Sequence, residues 1–220
     1  MHPLLKSIVI LYTTAAGYAS AADDLLVADF EGDSYAPWKV SGEAFGGAPA
    51  HGPLPGQMNV EGFKGKGLVN SFHKGDDSTG SLTSPEFRIE RKLIAFLIGG
   101  GMKPDTLALQ LVVDVKVVRK ATGPNDRPGG SETLQQESWN VTEFAGKTAT
   151  IRIIDEAKGG WGHLNVDHIV QTDVKPKGPP ALVNNAGNNR PHQNGTKIRG
   201  WIAEFEPAPN RELQRRSGLT

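Results

Sequence analysis

The chain has 220 residues, no cysteine, and 24 basic residues against 24 acidic ones. That composition excludes disulfides and thiolate metal sites, and it gives no electrostatic reason to bind nucleic acid or an anionic membrane. The length suffices for one domain with a self-sufficient core, plus a tail.

Residues 1–21, MHPLLKSIVILYTTAAGYASA, hold a lysine near the start, an apolar centre from Ser7 to Tyr12 and a small-x-small end. This is the pattern of a secretory signal cleaved after Ala21, and the apolar run is shorter than the roughly 20 residues a spanning helix needs. It predicts a secreted or periplasmic protein. An exported chain without cysteine fits a bacterial exoprotein better than a small disulfide scaffold.

From Leu25 to about Thr172, short apolar runs alternate with clusters of Gly, Pro, Asp and Asn: LLVADF, WKVSG, GLVNSF, GSLTS, EFRIE, KLIAFLIGG, LALQLVVDVKVVR, ATIRIID and LNVDHIVQ. None has the period of a long amphipathic helix. Regular turn signals between period-two runs predict an all-β fold, an antiparallel two-sheet sandwich or jelly roll over residues 22–174. FLIGGGMKP (96–104) ends an apolar run in three glycines, RKATGPNDRPGGSE (119–132) is a long polar loop, and ESWNVTEFAGKTATIRIID (137–155) places a turn at FAG. Glycines at such points serve hairpin ends or close approach of a ligand. Trp38 and Trp139 lie in strand-like runs and are expected in the core.

Beyond Val174 the chain becomes rich in Pro, Asn, Gly and Arg, with IRGWIAEF as its one short apolar stretch. Residues 175–220 read as a disordered or frame-shifted tail.

Catalytic signatures are missing from the sequence. The six histidines are scattered without an HExxH pair, and neither GxSxG nor a phosphate loop occurs. Two acids can cleave a glycosidic bond, but nothing singles out a pair. Carboxylates do stand inside strand-like runs at both ends of the domain. Asp29 in the first run and Glu31 just after it share one face of that strand, and Asp167 lies in the last; if those strands are neighbours, the acids converge, and a hard oxygen set suits a structural Ca²⁺. Separate solvation of the three is the alternative. A binding site can be assembled from Gly100 and Gly101, where a sugar ring would approach the backbone, Trp161 as an apolar platform, and Arg119 and His163 as donors. The alternative is three separate turns and a packed tryptophan.

Six blocks in order, DFEGDSYAPWKVSGEAFG, KGKGLVNSF, GSLTSPEFRIERKLIAFLIGGG, DVKVVRKATGPN, SWNVTEFAGKTATIRIID and GGWGHLNVDHIV, resemble the β-sandwich module that precedes the catalytic propeller in secreted bacterial levanases and related fructan β-fructosidases. The resemblance covers residues 25–172. It implies a non-catalytic, carbohydrate-binding-module-like domain, with a fructan or other polysaccharide and a glycosidase catalytic domain as partners. The FEG…W opening and NVDHI ending also resemble calcium-stapled carbohydrate-binding sandwiches, which favours Glu31 and Asp167 as metal ligands. The W-x-N-D-P-N-G, R-D-P and Glu-Cys motifs of the propeller are absent from this sequence, so it reads as truncated before the catalytic domain and as no enzyme by itself. A structural spacer packing on a propeller is the second reading, and a small glycosidase or lyase the third. Val115 stands where that resemblance implies the glycine of a D-G-K turn, and Asn140 where it implies aspartate.

Overall fold

The computed structural model describes residues 22–177 and the backbone of 203–204. The signal segment expected at 1–21 and nearly all of the tail lie outside the described residues. The described chain is a two-sheet antiparallel sandwich, as its apolar period predicts. One sheet has the order β1 (Leu25–Ala28), β11 (Leu164–Thr172), β6 (Leu93–Gly100), β9 (Gln135–Asn140), with β3 (Val69–Asn70) also pairing to β11. The other runs β12 (Ala203–Glu204), β8 (Lys116–Ala121), β7 (Leu107–Val113), β10 (Thr148–Asp155), β4 (Gly80–Thr83), β2 (Lys39–Gly42), with β5 (Phe87–Arg88) on β10.

Alternation explains the core. Ile94, Phe96 and Ile98 of β6 face Leu107, Leu109 and Leu111 of β7 and Ile151 and Ile153 of β10 across the sandwich, all at 2% exposure or less. Trp139 is fully buried, its ring 4.6 Å from Phe96, and Trp38 packs edge-on to Phe30. The run KLIAFLIGG is apolar on both faces for a reason. Behind it Leu97 joins a second small cluster with Val60, Leu68 and Leu134, contributed by irregular segments that cover the outer face of the first sheet. That cover turns a half-exposed sheet face into an interior where polar groups can be enclosed.

The run LALQLVVDVKVVR folds as a hairpin of β7 and β8. Asp114 and Val115 form its two-residue turn, with φ of 50° and 58°. Two consecutive left-handed residues are what such a turn requires, and the right-handed twist of the strands selects it even with a β-branched residue in place. First and last strands are neighbours, with Leu25 opposite Gln171.

Candidate functional site

The segment entering β11, GGWGH (159–163), is the centre of the site. It comes down on the end of β6, and the glycines there are shaped to receive it. A Cβ on Gly101 would lie 1.9 Å from the Trp161 carbonyl oxygen, and one on Gly100, whose φ is +91°, would lie 2.4 Å from that of His163. The Gly101 N–H donates to the His163 carbonyl at 2.9 Å. These two glycines therefore admit backbone, and they line neither cleft described below. Their expected service to a sugar ring is replaced by a packing role.

His163 is 3% exposed and held from both sides. Its Nδ1 lies 2.6 Å from Asp76 Oδ1 and its Nε2 2.8 Å from Glu132 Oε1. Ionised carboxylates only accept, so a bond to each calls for a donor on both ring nitrogens, and the pair favours the imidazolium form. Burial alone would depress its pKa; the hydrogen bonds and charges of Glu132 and Asp76 outweigh it and hold the pKa above the usual histidine value. Glu132, itself 2% exposed, accepts a second bond from Asn165 Nδ2 at 2.8 Å, and Asp76 Oδ1 also takes the Gly162 N–H at 2.8 Å. Deeper in, Asp155 is fully buried with Oδ2 unpartnered, and desolvation pushes its pKa up to about 7 against the pull of Ser71 and the Ala157 N–H.

This network orients Trp161. The indole stacks on His163 with centroids 5.7 Å apart and an angle of 28°, its Nε1 donates to the Arg127 carbonyl at 2.9 Å, and its backbone sits at φ +57°. A bulky residue in the left-handed region is strained by about 1–3 kcal/mol and persists only where surroundings dictate it. Trp161, Phe72, Met58, Arg127 and Asp76 border a cleft of about 400 Å³. Phe72 meets the other side of His163 edge-on at 4.9 Å.

Arg119 is elsewhere. Opposite Leu111 in the β7–β8 hairpin, it points between the sheets and closes their edge: Nε and Nη2 donate to the Asn140 carbonyl at 3.1 and 2.9 Å, Nη1 to the Val118 carbonyl, and Nη2 also to Glu143. Its guanidinium lies 5.2 Å over the Phe144 ring. A separate groove of about 880 Å³ runs along this edge, bordered by Val117, Val118, Phe144, Ile154 and Arg152. The structure thus joins Trp161 and His163 at one cleft and assigns Arg119 to another region.

Of the acids proposed for a metal, Glu31 and Asp167 lie within electrostatic reach of each other. Asp167 and Glu31 approach closely enough for Glu31 to raise the Asp167 pKa, though desolvation is the main cause of its rise to about 6, eased by the Lys64 and His168 N–H groups at 2.7 and 2.6 Å. Glu31 accepts from the Lys66 and Gly67 N–H groups, which hold its pKa below the usual range. Asp29 accepts the Glu31 N–H at 3.3 Å. The carboxylates face a loop of backbone donors, and among the described residues no three His, Cys, Asp or Glu side chains are grouped to hold a metal. A cation at Glu31 and Asp167 would need backbone carbonyls to complete its shell.

Asp76 and Glu132 were not legible as site residues. HKGDDSTG and GGSETL look like solvated polar turns, and only the cover over the first sheet turns their acids inward.

No family model matches the chain. Over 156 residues it is 43% identical to "Putative glycosyl hydrolase ecdE" of Aspergillus rugulosus, covering 70% of this chain and 22% of that protein. The chain therefore spans about a fifth of the length of that curated relative. Among solved structures, the K1 cleaved adhesin domain of Lys-gingipain from Porphyromonas gingivalis is similar at a TM-score of 0.44 and 15% identity, over 70% of this chain and all of that one. A family 35 carbohydrate-binding module from Clostridium thermocellum matches at 0.36 and 13% identity, over 70% of this chain and all of that one. Structural likeness at these scores carries no argument here.

Proposed function

We propose that the chain is a non-catalytic carbohydrate-binding module of a secreted glycoside hydrolase of the fructan-degrading, levanase type, and that it binds polysaccharide at the Trp161 cleft. The observation that carries this reading is a strained tryptophan fixed at the mouth of a cleft by an Asp76–His163–Glu132 clamp whose histidine and glutamate are buried. An indole held this way offers a rigid apolar face to a sugar ring without ordering cost on binding. The sequence relative with a glycosyl hydrolase name supports a carbohydrate setting.

Isothermal titration of the chain with levan and inulin oligosaccharides tests the reading. Binding that falls tenfold or more in Trp161→Ala, with no fructose released by either protein, is the expected result. Turnover by the purified chain would point to the glycosidase reading, and unchanged affinity in Trp161→Ala would move the site. The spacer reading is favoured by the apolar groove beside Arg119, which would suit a neighbouring domain; it predicts no glycan binding at all. We further propose a structural Ca²⁺ at Glu31 and Asp167. Saturating calcium at about a hundredfold excess over Kd would then add about 2.7 kcal/mol of stability, and an unchanged melting curve in chelator would reject it.

A further inference from the structure

The cleft's polar groups divide sharply into committed and free. The aromatic donors beside Asp76 are committed: Trp161 Nε1 to the Arg127 carbonyl, and both nitrogens of His163 to carboxylates. Glu132 has both oxygens engaged. Asp76, whose side chain is 29% exposed, has two bonds on Oδ1 and none on Oδ2 among the described residues. Asp76 Oδ2 therefore offers a free acceptor to a ligand, while the Arg127 side chain, 86% exposed, keeps its donors open at the outer border of the cleft. Charge points the same way, since Asp76, Asp126 and Glu132 border the cleft against Arg127 and the His163 imidazolium, and Arg127 is paired to Asp126 at 3.6 Å.

A second observation concerns Gly160, which borders the cleft beside Trp161. The other open glycines there have a conformational reason to be glycine: Gly56 and Gly129 both have φ of +86°. Gly160 has none. Its φ is ordinary and a Cβ would meet nothing within 4 Å. Packing and backbone thus leave a side chain admissible at 160, and its absence keeps the backbone beside the indole open from the cleft side.

Resting on the carbohydrate-binding reading above, we infer that the cleft takes a neutral polyhydroxylated ring, which approaches the backbone at Gly160 against Trp161 and donates a hydroxyl hydrogen to Asp76, and that it turns acidic sugars away. A hydroxyl donating to a carboxylate forms a charge-assisted bond, whereas a uronate brought to the same carboxylate meets like charge. Gly160 is the point of access and Asp76 the group that reads the ligand's charge.

The test uses the full chain in isothermal titration with neutral levan-, inulin-, galacto- and manno-oligosaccharides and with oligogalacturonates. Wild type should bind at least one neutral oligosaccharide about tenfold or more tighter than any oligogalacturonate, the size expected of one charged hydrogen bond gained or lost. Gly160→Val should lose that binding by a similar factor at an unchanged melting temperature. Gly47→Val is the control, because Gly47 also has an ordinary φ and nothing within 4 Å yet does not border the cleft; it should bind as wild type does. Asp76→Asn, which keeps an acceptor for His163 and Gly162 while supplying an amide donor, should narrow the preference for neutral sugars. Equal affinity for oligogalacturonates overturns the ligand class. Wild-type affinity in Gly160→Val, with binding lost in Trp161→Ala, overturns the approach at Gly160 and leaves the module reading standing. If no oligosaccharide of either kind binds, the module reading falls and this inference with it.

Discussion

Arg119 and His163 are both cations enclosed at the margin of the sandwich, and they differ in what they neutralise. Arg119 engages two backbone carbonyls and one carboxylate, Glu143, whose side chain is 52% exposed. His163 stands between two carboxylates, one of them 2% exposed. Loss of Arg119 returns its acid to water, while loss of His163 strands an acid in the interior. The first cation closes an edge; the second also dictates the posture of a strained tryptophan, so its removal reaches a binding surface. A buried charge becomes indispensable through the company it keeps more than through its own burial.

The sharpest way to break this comparison is His163→Ala. Leaving Glu132 and Asp76 uncompensated should destabilise the protein by about 3–5 kcal/mol in a urea titration. Arg119→Ala, measured the same way, should cost only about 1.5–3 kcal/mol, the range for bonds from a charged donor, and should leave glycan affinity at the Trp161 cleft unchanged. Equal losses in the two variants would show that the partners do not matter.

pH offers a finer probe of the enclosed groups. Asp155 keeps its proton up to about 7 in the folded state, whereas an unfolded aspartate releases it near about 3.9. Its contribution is therefore complete at acid pH and is lost as pH rises through about 7. The His163 pKa is also raised, so its contribution is complete below about 6.5 and is lost as pH climbs through the folded value. Both act in one direction, and the melting temperature should fall from about pH 5 to about pH 9. Asp155→Asn should raise stability at about pH 8 by on the order of 1–2 kcal/mol and give no gain at about pH 4. A gain of the same size at both pH values would disprove ionisation as the cause.

The smallest effect is expected at the hairpin beside Arg119. Val115 is 97% exposed and holds φ +58°, so Val115→Gly relieves strain, while the extra freedom of unfolded glycine offsets part of the gain. A net stabilisation of about 1 kcal/mol or less is expected by thermal melting, with no change in glycan affinity. Destabilisation would show that the valine is held by contacts rather than by the turn.

Period-two runs separated by turn residues determined the class of fold, because alternation is a local consequence of strand geometry that needs only one apolar face to be buried. The same logic put Trp38 and Trp139 in the core and made neighbours of the first and last strands. Trp161 and His163 were legible as partners because they stand two positions apart along one strand entry, with only Gly162 between them. Arg119 was misplaced because a strand's end does not say which margin of a sandwich it reaches, and that is decided by its pairing with Leu111 and by Asn140 across the edge. Gly100 and Gly101 were assigned to a ligand because a glycine's freedom is visible in sequence while the atom it makes room for, here the carbonyls of His163 and Trp161, is not. Asp76 and Glu132 were hidden for a related reason. An acid in a polar loop is solvated by default, and only the layer of irregular chain folded over the first sheet encloses these two acids around a histidine. Chain-local periodicity determined the architecture; the enclosure of charge depends on which distant segments cover it, and only the tertiary structure decided that.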